Sequence, residues 1–130
     1  MSLVLDTTAL LDMNILDEDD PRYLELVHRT ENQHCYITSV VAAQIYYRLN
    51  KDVGTERADA ILEMMRSGEW ITIADDSRLI TGAAQAMDYG APPSIAFTAA
   101  LAMKLDIPVV AGDKSYDNLE RNGFCGVVRY

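Results

Sequence analysis

The sequence predicts a three-layer α/β domain in which helices cover both faces of a parallel central sheet. Short apolar runs of strand type alternate with amphipathic helical stripes, and no repeat, low-complexity tract or Gly/Ser linker interrupts them. Strands that alternate with helices imply crossover connections, and crossovers produce parallel strands. A length of 130 residues suits one folding unit, so we expect a single domain over residues 1–130.

Five short apolar runs have the length and composition of buried strands. They are Leu3–Leu5, Cys35–Thr38, Trp70–Ile73, Ile107–Ala111 and Gly126–Arg129. Pro108 is compatible with the fourth run because it lies near its start.

Helix signals in the first half of the chain fit the gaps between these runs. A short helix is predicted over Thr7–Met13, directly after the first strand. The pair Asp20–Pro21 is typical of an N-cap and first helical position, and this helix should end near Thr30. Ser39 is the expected N-cap of the next helix. Its apolar face consists of Val41, Ile45 and Leu49.

The second half of the chain contains four further helix signals. Thr55 is a candidate N-cap for a helix that Gly68 ends, and Gly90 follows the end of another. The apolar residues of these two helices are Ala58, Ile61, Leu62 and Met65 in the first, and Leu79, Ile80, Ala83, Ala84 and Met87 in the second. Ser94–Leu105 is apolar almost all round, which predicts a helix buried on most sides. A short helix over Tyr116–Arg121 completes the set.

Charge excludes one broad class of function. The chain has 20 acidic and 11 basic residues, for a net charge of −9. Polyanions are repelled by such a protein at long range, so indiscriminate coating of nucleic acid is excluded and any RNA contact must be local. Cys35 and Cys125 belong to no CxxC or zinc-type pattern, and we expect both to be buried, reduced thiols.

No segment has the pattern of a membrane span or a signal peptide. The most apolar stretch, Ile95–Met103, is about half the length that a spanning helix needs. At the N-terminus, Asp6 lies where a signal peptide would have its apolar centre. We therefore expect a cytoplasmic protein with no membrane contact.

Two aspartates occur where parallel sheets form their sites. Asp6 ends the first strand and Asp113 lies just beyond the fourth, and in such sheets sites lie outside the carboxyl ends of the strands. Paired carboxylates suit Mg²⁺ or Mn²⁺, which can activate water for attack on a phosphodiester. Asp117 would join them if residues 113–117 begin a helix. Aspartate also caps helices and tightens turns, so a structural role for Asp6 and Asp113 is equally open.

Four motifs in sequence order resemble those of PIN domains. DTTALL at residues 6–11 resembles the family's opening D-T/S-x-x-L, and DEDDPRYLEL at 17–26 its second helix entry. TSVVAAQIYYRL at 38–49 resembles the segment that usually reads S-x-x-x-x-E, and IPVVAGDKSYDNL at 107–119 resembles p-L-V-T-x-D-x-x-F. The chain thus resembles, over essentially its whole length, the family that includes the VapC-type toxin ribonucleases.

The resemblance assigns roles to individual residues. The family's first acid falls on Asp6 with the hydroxyl of Thr7 beside it, and the acid after the fourth strand falls on Asp113. These two aspartates would be the metal ligands, and Asp117 is close enough to substitute in part for a missing acid. Asp6, Asp113 and Asp117 are therefore the candidate catalytic residues.

Three positions depart from the family's pattern. The helix glutamate falls on Gln44, the aspartate of the apolar helix falls on Ile95 with Ser94 as the nearest polar residue, and a further acid falls on Ser115. Gln44, Ser94 and Ser115, together with Thr7, are thus supporting rather than charged site residues. Fewer carboxylates reduce the electrostatic drive to bind a cation, so we expect weak metal binding.

The resemblance implies two alternative functions. One is a Mg²⁺- or Mn²⁺-dependent endoribonuclease of the VapC type with weakened activity. The other is a catalytically inactive PIN-like domain that binds RNA or a protein. An antitoxin-like protein partner would follow from a toxin role. Family habit also implies a homodimer, for which the helices near Tyr46 and Leu62 offer apolar surface.

Overall fold

The computed structural model describes residues 2–130 and contains five strands and seven α-helices over that range. The strands are β1 (Ser2–Leu5), β2 (His34–Thr38), β3 (Ile71–Ala74), β4 (Val109–Ala111) and β5 (Val127–Arg129). The helices are α1 (Thr7–Ile15), α2 (Pro21–Thr30), α3 (Ser39–Asp52), α4 (Thr55–Ser67), α5 (Ile80–Met87), α6 (Pro93–Leu105) and α7 (Asp117–Arg121). Each predicted strand and helix is present, with ends shifted by a few residues.

All five strands are parallel and lie in the order β3-β2-β1-β4-β5. Strand β1 is central, and Val4 pairs with Tyr36 on one side and Val109 on the other. The chain builds the sheet outward from β1 in one direction and then returns to add β4 on the opposite side. The strand order therefore reverses between β1 and β4, and the residues that follow these two strands are brought together.

Alternate residues of β1 enter two separate apolar layers, which confirms the predicted three-layer α/β class. Leu3 and Leu5 pack in the layer formed with α1 to α4, whereas Val4 packs in the layer formed with α5, α6 and α7. Strands buried on both faces are expected to be apolar, as β4 and residues 3–5 of β1 are. The second layer is rich in alanine, and its buried alanines on α6 are Ala96, Ala99, Ala100 and Ala102.

Two predicted N-caps are wrong by one residue. The cap of α3 is Thr38, whose Oγ1 accepts a hydrogen bond from the Val41 amide at 3.1 Å. Ser39 instead donates its backbone N–H to Asp76. Helix α4 begins after Gly54, which has a positive φ of 100°, and the hydroxyl of Thr55 donates to the Asn50 side chain. In both cases the predicted cap residue bonds to a group outside its own helix.

The helix predicted around residues 79–87 is divided. Asp75 accepts a hydrogen bond from the Ser77 amide and starts a 3₁₀ turn over Asp76–Leu79, after which α5 begins. The buried residues of this segment are Leu79, Ala83 and Ala86. Ile80, Ala84 and Met87, which are predicted on the apolar face, are instead exposed. The predicted ends at Gly68 and Gly90 are confirmed, since both glycines have positive φ.

Both cysteines are free thiols, as predicted, but only Cys35 is fully buried. Desolvation raises the pKa of Cys35 to about 12 and that of Cys125 to about 11. Within residues 2–130, no helix combines the length and the apolar character needed to cross a bilayer.

The backbone after β4 passes directly beneath an aromatic ring. A Cβ atom added at Gly112 would lie 2.6 Å from Cζ of Tyr130, whereas one added at Gly126 would lie 3.7 Å from its nearest neighbour, Pro108. We expect Gly112→Ala to lower the free energy of unfolding by about 1–3 kcal/mol, because the ring must move. Gly126→Ala is the matched control, and chemical denaturation measures both. Equal effects of the two substitutions would contradict this contact.

Candidate functional site

Asp6 lies at the point where β1 ends and α1 begins. It is the N-cap of α1, and its Oδ1 accepts a hydrogen bond from the Ala9 amide at 2.8 Å. Only 7% of the residue is exposed. Burial raises the pKa of Asp6 to about 6 against the lowering effect of the Ala9 amide, and the nearby charges of Asp113 and Asp12 raise it further.

Asp113 follows β4 and reaches the same region as Asp6. Its side chain is exposed, and Oδ1 accepts a hydrogen bond from the Ser115 amide at 2.9 Å. This is a local turn that fixes the carboxylate on its loop. Ser115 thus contributes through its backbone. The charge of Asp113 contributes to the raised pKa of Asp6, so the two carboxylates lie in the same region although they are 107 positions apart in sequence.

Gln44 joins two hydroxyl side chains in an uncharged network next to Asp6. The Oε1 atom of Gln44 accepts hydrogen bonds from Oγ1 of Thr7 and from Oγ of Ser94, the latter at 2.9 Å. Three helices, α1, α3 and α6, contribute one residue each. A carbonyl oxygen has two lone pairs, and both are used here, so this oxygen has little remaining capacity to bind a cation.

Asp117 is engaged elsewhere. Its Oδ1 accepts a hydrogen bond from Nη2 of Arg129, which also lies 3.0 Å from the Glu120 carboxylate. The structure therefore does not place Asp117 in a three-carboxylate group with Asp6 and Asp113. Ile95, at the position where the family pattern has an acid, packs against the apolar layer of α6.

Asp12 is a third carboxylate near Asp6, and the sequence reasoning missed it. It is buried on α1, and its Oδ2 accepts hydrogen bonds from Nη2 of Arg22 at 2.9 Å and from the hydroxyl of Tyr130 at 2.6 Å. The signal available in the sequence was an acidic residue within the apolar run of a short helix. A buried carboxylate requires a partner, and here the partners come from α2 and from the end of the chain.

Two buried hydroxyls line the α6 side of Asp6. The hydroxyl of Tyr116 lies near the Asp6 carboxylate and the Thr98 hydroxyl, and neither hydroxyl forms a well-shaped hydrogen bond within residues 2–130. Burial and the adjacent Asp6 charge raise the pKa of Tyr116. The Asp6 carboxylate is thus surrounded by neutral donors and by other acids.

The donor set fits one hard divalent ion and no more. Two carboxylates, with water and a substrate phosphate completing the coordination, are a common way for proteins to hold Mg²⁺. Asp6 and Asp113 meet that requirement. Within residues 2–130, however, no group of three or more acidic, histidine or cysteine side chains has the arrangement of a metal site. Gln44 and Asp117 are already occupied by other partners.

Solved structures share this architecture, although no family sequence model and no curated protein sequence matches the chain. VapBC2 from Rickettsia felis, bound to a promoter DNA fragment, matches with a TM-score of 0.70 at 17% identity, covering 100% of this chain and 99% of that one. VapC20 from Mycobacterium tuberculosis, a sarcin-ricin loop cleaving toxin, matches with a TM-score of 0.70 at 16% identity, covering 89% of this chain and 93% of that one. FitAcB from Neisseria gonorrhoeae matches with a TM-score of 0.67 at 13% identity, covering 96% of this chain and 95% of that one. The protein therefore has the PIN-like fold of the VapC toxins.

The raised pKa of Asp6 predicts a pH-dependent cost in stability. Because the folded-state pKa is about 6 and the ordinary value is 3.8, ionisation of Asp6 opposes folding as the pH rises from about 4 to above 6. Asp6→Asn keeps the helix cap and removes the charge. We expect it to raise the free energy of unfolding by about 2–3 kcal/mol near pH 7.5 and by about 0.5 kcal/mol near pH 4, in chelator. A gain that is equal at both pH values would contradict the assignment.

Proposed function

We propose that this protein is a VapC-like, metal-dependent endoribonuclease with a reduced acidic site formed by Asp6 and Asp113. The observation that carries the proposal is the environment of Asp6. Its carboxylate is buried beside two other acids, and within residues 2–130 no basic side chain forms an ion pair with Asp6 or Asp113. A bound cation would relieve both the desolvation of Asp6 and its repulsion from Asp113.

In this proposal Asp6 and Asp113 would hold Mg²⁺ or Mn²⁺. Such an ion supplies a polarised water and charge stabilisation for attack on a phosphodiester. Asp6 is positioned by the hydrogen bond that its Oδ1 accepts from the Ala9 amide. Asp113 is held by the Ser115 amide on the adjacent loop. Asp117 is turned toward Arg129, which binds its Oδ1, and we assign it no ligand role in this proposal.

The neutral network accounts for weakened activity. Gln44 offers no charge, and Thr7 and Ser94 occupy its oxygen, so the protein supplies two anionic ligands instead of a larger cluster. The same network reduces the negative charge that an approaching RNA phosphate meets. We therefore expect weak binding of the ion in free protein and stronger binding when a substrate phosphate provides further oxygen ligands.

The alternative is an inactive PIN-like domain that binds RNA or a protein. The occupied oxygen of Gln44 and the apolar side chain of Ile95 favour it specifically, because both remove ligands from the position where the family pattern has acids. It differs from the first proposal in one respect that can be measured. An inactive domain would show no metal-stimulated cleavage at any metal concentration.

A protein partner of the antitoxin type is a further part of the proposal. Solved structures of similar fold include the two-component VapBC2 and FitAcB. A groove of about 430 Å³ lies between α3 and α4, and its apolar lining includes Ala42, Leu62 and Ile73. Tyr46 borders it and donates its hydroxyl to Asp59. An apolar helix of an antitoxin suits this groove, and the homodimer expected near Tyr46 and Leu62 would compete for the same surface.

The first test measures Mn²⁺ binding by calorimetry and cleavage of single-stranded RNA with and without Mn²⁺ or Mg²⁺. We expect weak binding and metal-stimulated cleavage by the natural protein, and loss of both in Asp6→Asn and in Asp113→Asn. Asp106→Asn is the matched control. It removes the same charge at the opposite end of β4, where a positive φ of 54° suits asparagine. Cleavage that survives in both site variants would refute the assignment, and its absence in the natural protein would favour the inactive domain.

The second test restores the acids that the family pattern predicts. The double variant Gln44→Glu with Ile95→Asp places carboxylates at the two positions where the family pattern has acids, and we expect its affinity for Mn²⁺ to rise by about 10-fold or more, because affinity rises with the number of charged ligands. Calorimetry at constant ionic strength gives the comparison. An unchanged affinity would mean that positions 44 and 95 do not face the ion.

A further inference from the structure

Arg22 is held against the candidate site by two side chains from distant parts of the chain. Its Nη2 donates to Oδ2 of Asp12 at 2.9 Å, and the hydroxyl of Tyr130 donates to the same oxygen at 2.6 Å. The guanidinium carbon lies 5.8 Å from the centre of the Tyr130 ring, which is within the range of a cation–π contact. The three residues form what we call the Arg22 cluster: Asp12, Arg22 and Tyr130.

The Asp12 end of the cluster is buried and hydrogen-bonded, whereas the Arg22 end faces solvent. The side chain of Asp12 is 11% exposed, whereas that of Arg22 is 51% exposed. A guanidinium has five N–H donors, and within residues 2–130 only the one to Asp12 forms a hydrogen bond. Arg22 is therefore oriented by buried groups while most of its donors face solvent.

The Arg22 cluster adjoins the Asp6–Asp113 pair. The Tyr130 ring lies directly on Gly112, the residue before Asp113, and the charge of Asp12 contributes to the raised pKa of Asp6. An anion bound by Arg22 would thus lie at the edge of the acidic pair rather than on a separate face.

Other basic residues near this edge are less suited to bind an anion. Arg129 is engaged by Asp117 and Glu120. Lys114 follows Asp113, but no hydrogen bond or ion pair to residues 2–130 holds its ammonium group in place. In a chain of net charge −9, a polyanionic substrate needs at least one positioned cation close to the acids.

We propose that Arg22, positioned by Asp12 and Tyr130, binds a backbone phosphate of single-stranded RNA beside the Asp6–Asp113 pair. The planar guanidinium matches two phosphate oxygens, and an arginine already held on one side loses less freedom on binding. This contact, which rests on the proposed function for its ligand, would bring RNA to the Asp6–Asp113 pair. It concerns binding alone and requires no metal ion.

The experiment is a fluorescence-anisotropy titration of a single-stranded RNA of about 12 nucleotides, in chelator, over roughly 50–200 mM salt. We expect Arg22→Gln to weaken binding by about 5- to 20-fold and to lower the slope of log affinity against log salt by about 0.7, the value for one lost phosphate contact on a single strand. Arg29→Gln is the matched control, since Arg29 lies on the same helix and pairs with Glu25 away from the site. It should leave affinity and slope near those of the natural protein.

A second variant shows whether weaker binding comes from the lost phosphate contact or from a change in the fold or in the net charge. Asp12→Asn with Arg22→Gln restores the net charge of −9 and removes the buried carboxylate that Arg22→Gln leaves without its cation. We expect this double variant to fold and still to bind RNA as weakly as Arg22→Gln. Recovery of affinity in the double variant would show that charge alone was responsible and would overturn the proposal.

The remaining outcomes distinguish this inference from the proposed function. RNA binding that depends on Arg22 without any cleavage in Mn²⁺ supports the phosphate contact and refutes the nuclease. If the natural protein cleaves RNA but Arg22→Gln binds RNA as tightly as the natural protein, the nuclease is supported and the Arg22 contact is refuted. A natural protein that neither binds nor cleaves this RNA refutes both.

Discussion

The burial of the Asp6 carboxylate is the constraint on which the rest of the site depends. Because β1 is the central strand, the residue that follows it is covered on both faces of the sheet and by the loop after β4. One oxygen of Asp6 satisfies the first turn of α1 through the Ala9 amide. A capping role for Asp6 does not exclude a role in the proposed site, because the cap uses only one of the two carboxylate oxygens.

Three other positions considered for the site contribute no unpaired negative charge. Asp12 has a cation and a hydroxyl as partners, Asp117 has Arg129, and the position of the family's helix acid carries the neutral Gln44. Asp6 and Asp113 are left without an ionic partner within residues 2–130. The negative charge at the site is thus concentrated on the two aspartates that parallel topology brings together, which is where a cation would reduce the free energy most.

Local signals in the sequence were sufficient for the fold. Apolar runs gave the strands, Asp20–Pro21 began α2, and Gly68 ended α4, each through short-range chemistry. The predictions from sequence were wrong or incomplete where a residue far away in the chain determines the local structure. Asp76 binds the amides of α3 from 36 positions or more away, and Asp12 pairs with Tyr130 across 118 positions. Such contacts form only when the helix layers pack on the sheet, and the spacing of residues in the sequence does not predict them.

Weak metal binding and a nuclease role are physically compatible in this site. Two carboxylates leave most of the coordination to water and substrate, so the ion and an RNA phosphate would each strengthen the binding of the other. That coupling requires a means of bringing the phosphate to an acidic surface before the ion is fully held. A half-exposed arginine, fixed by a buried carboxylate and a tyrosine at the edge of the same loop, is the group best placed to do so. With the neutral Gln44 and Ile95 at the positions where the PIN pattern has acids, the proposed recruitment of RNA would depend more on Arg22 than on the ion.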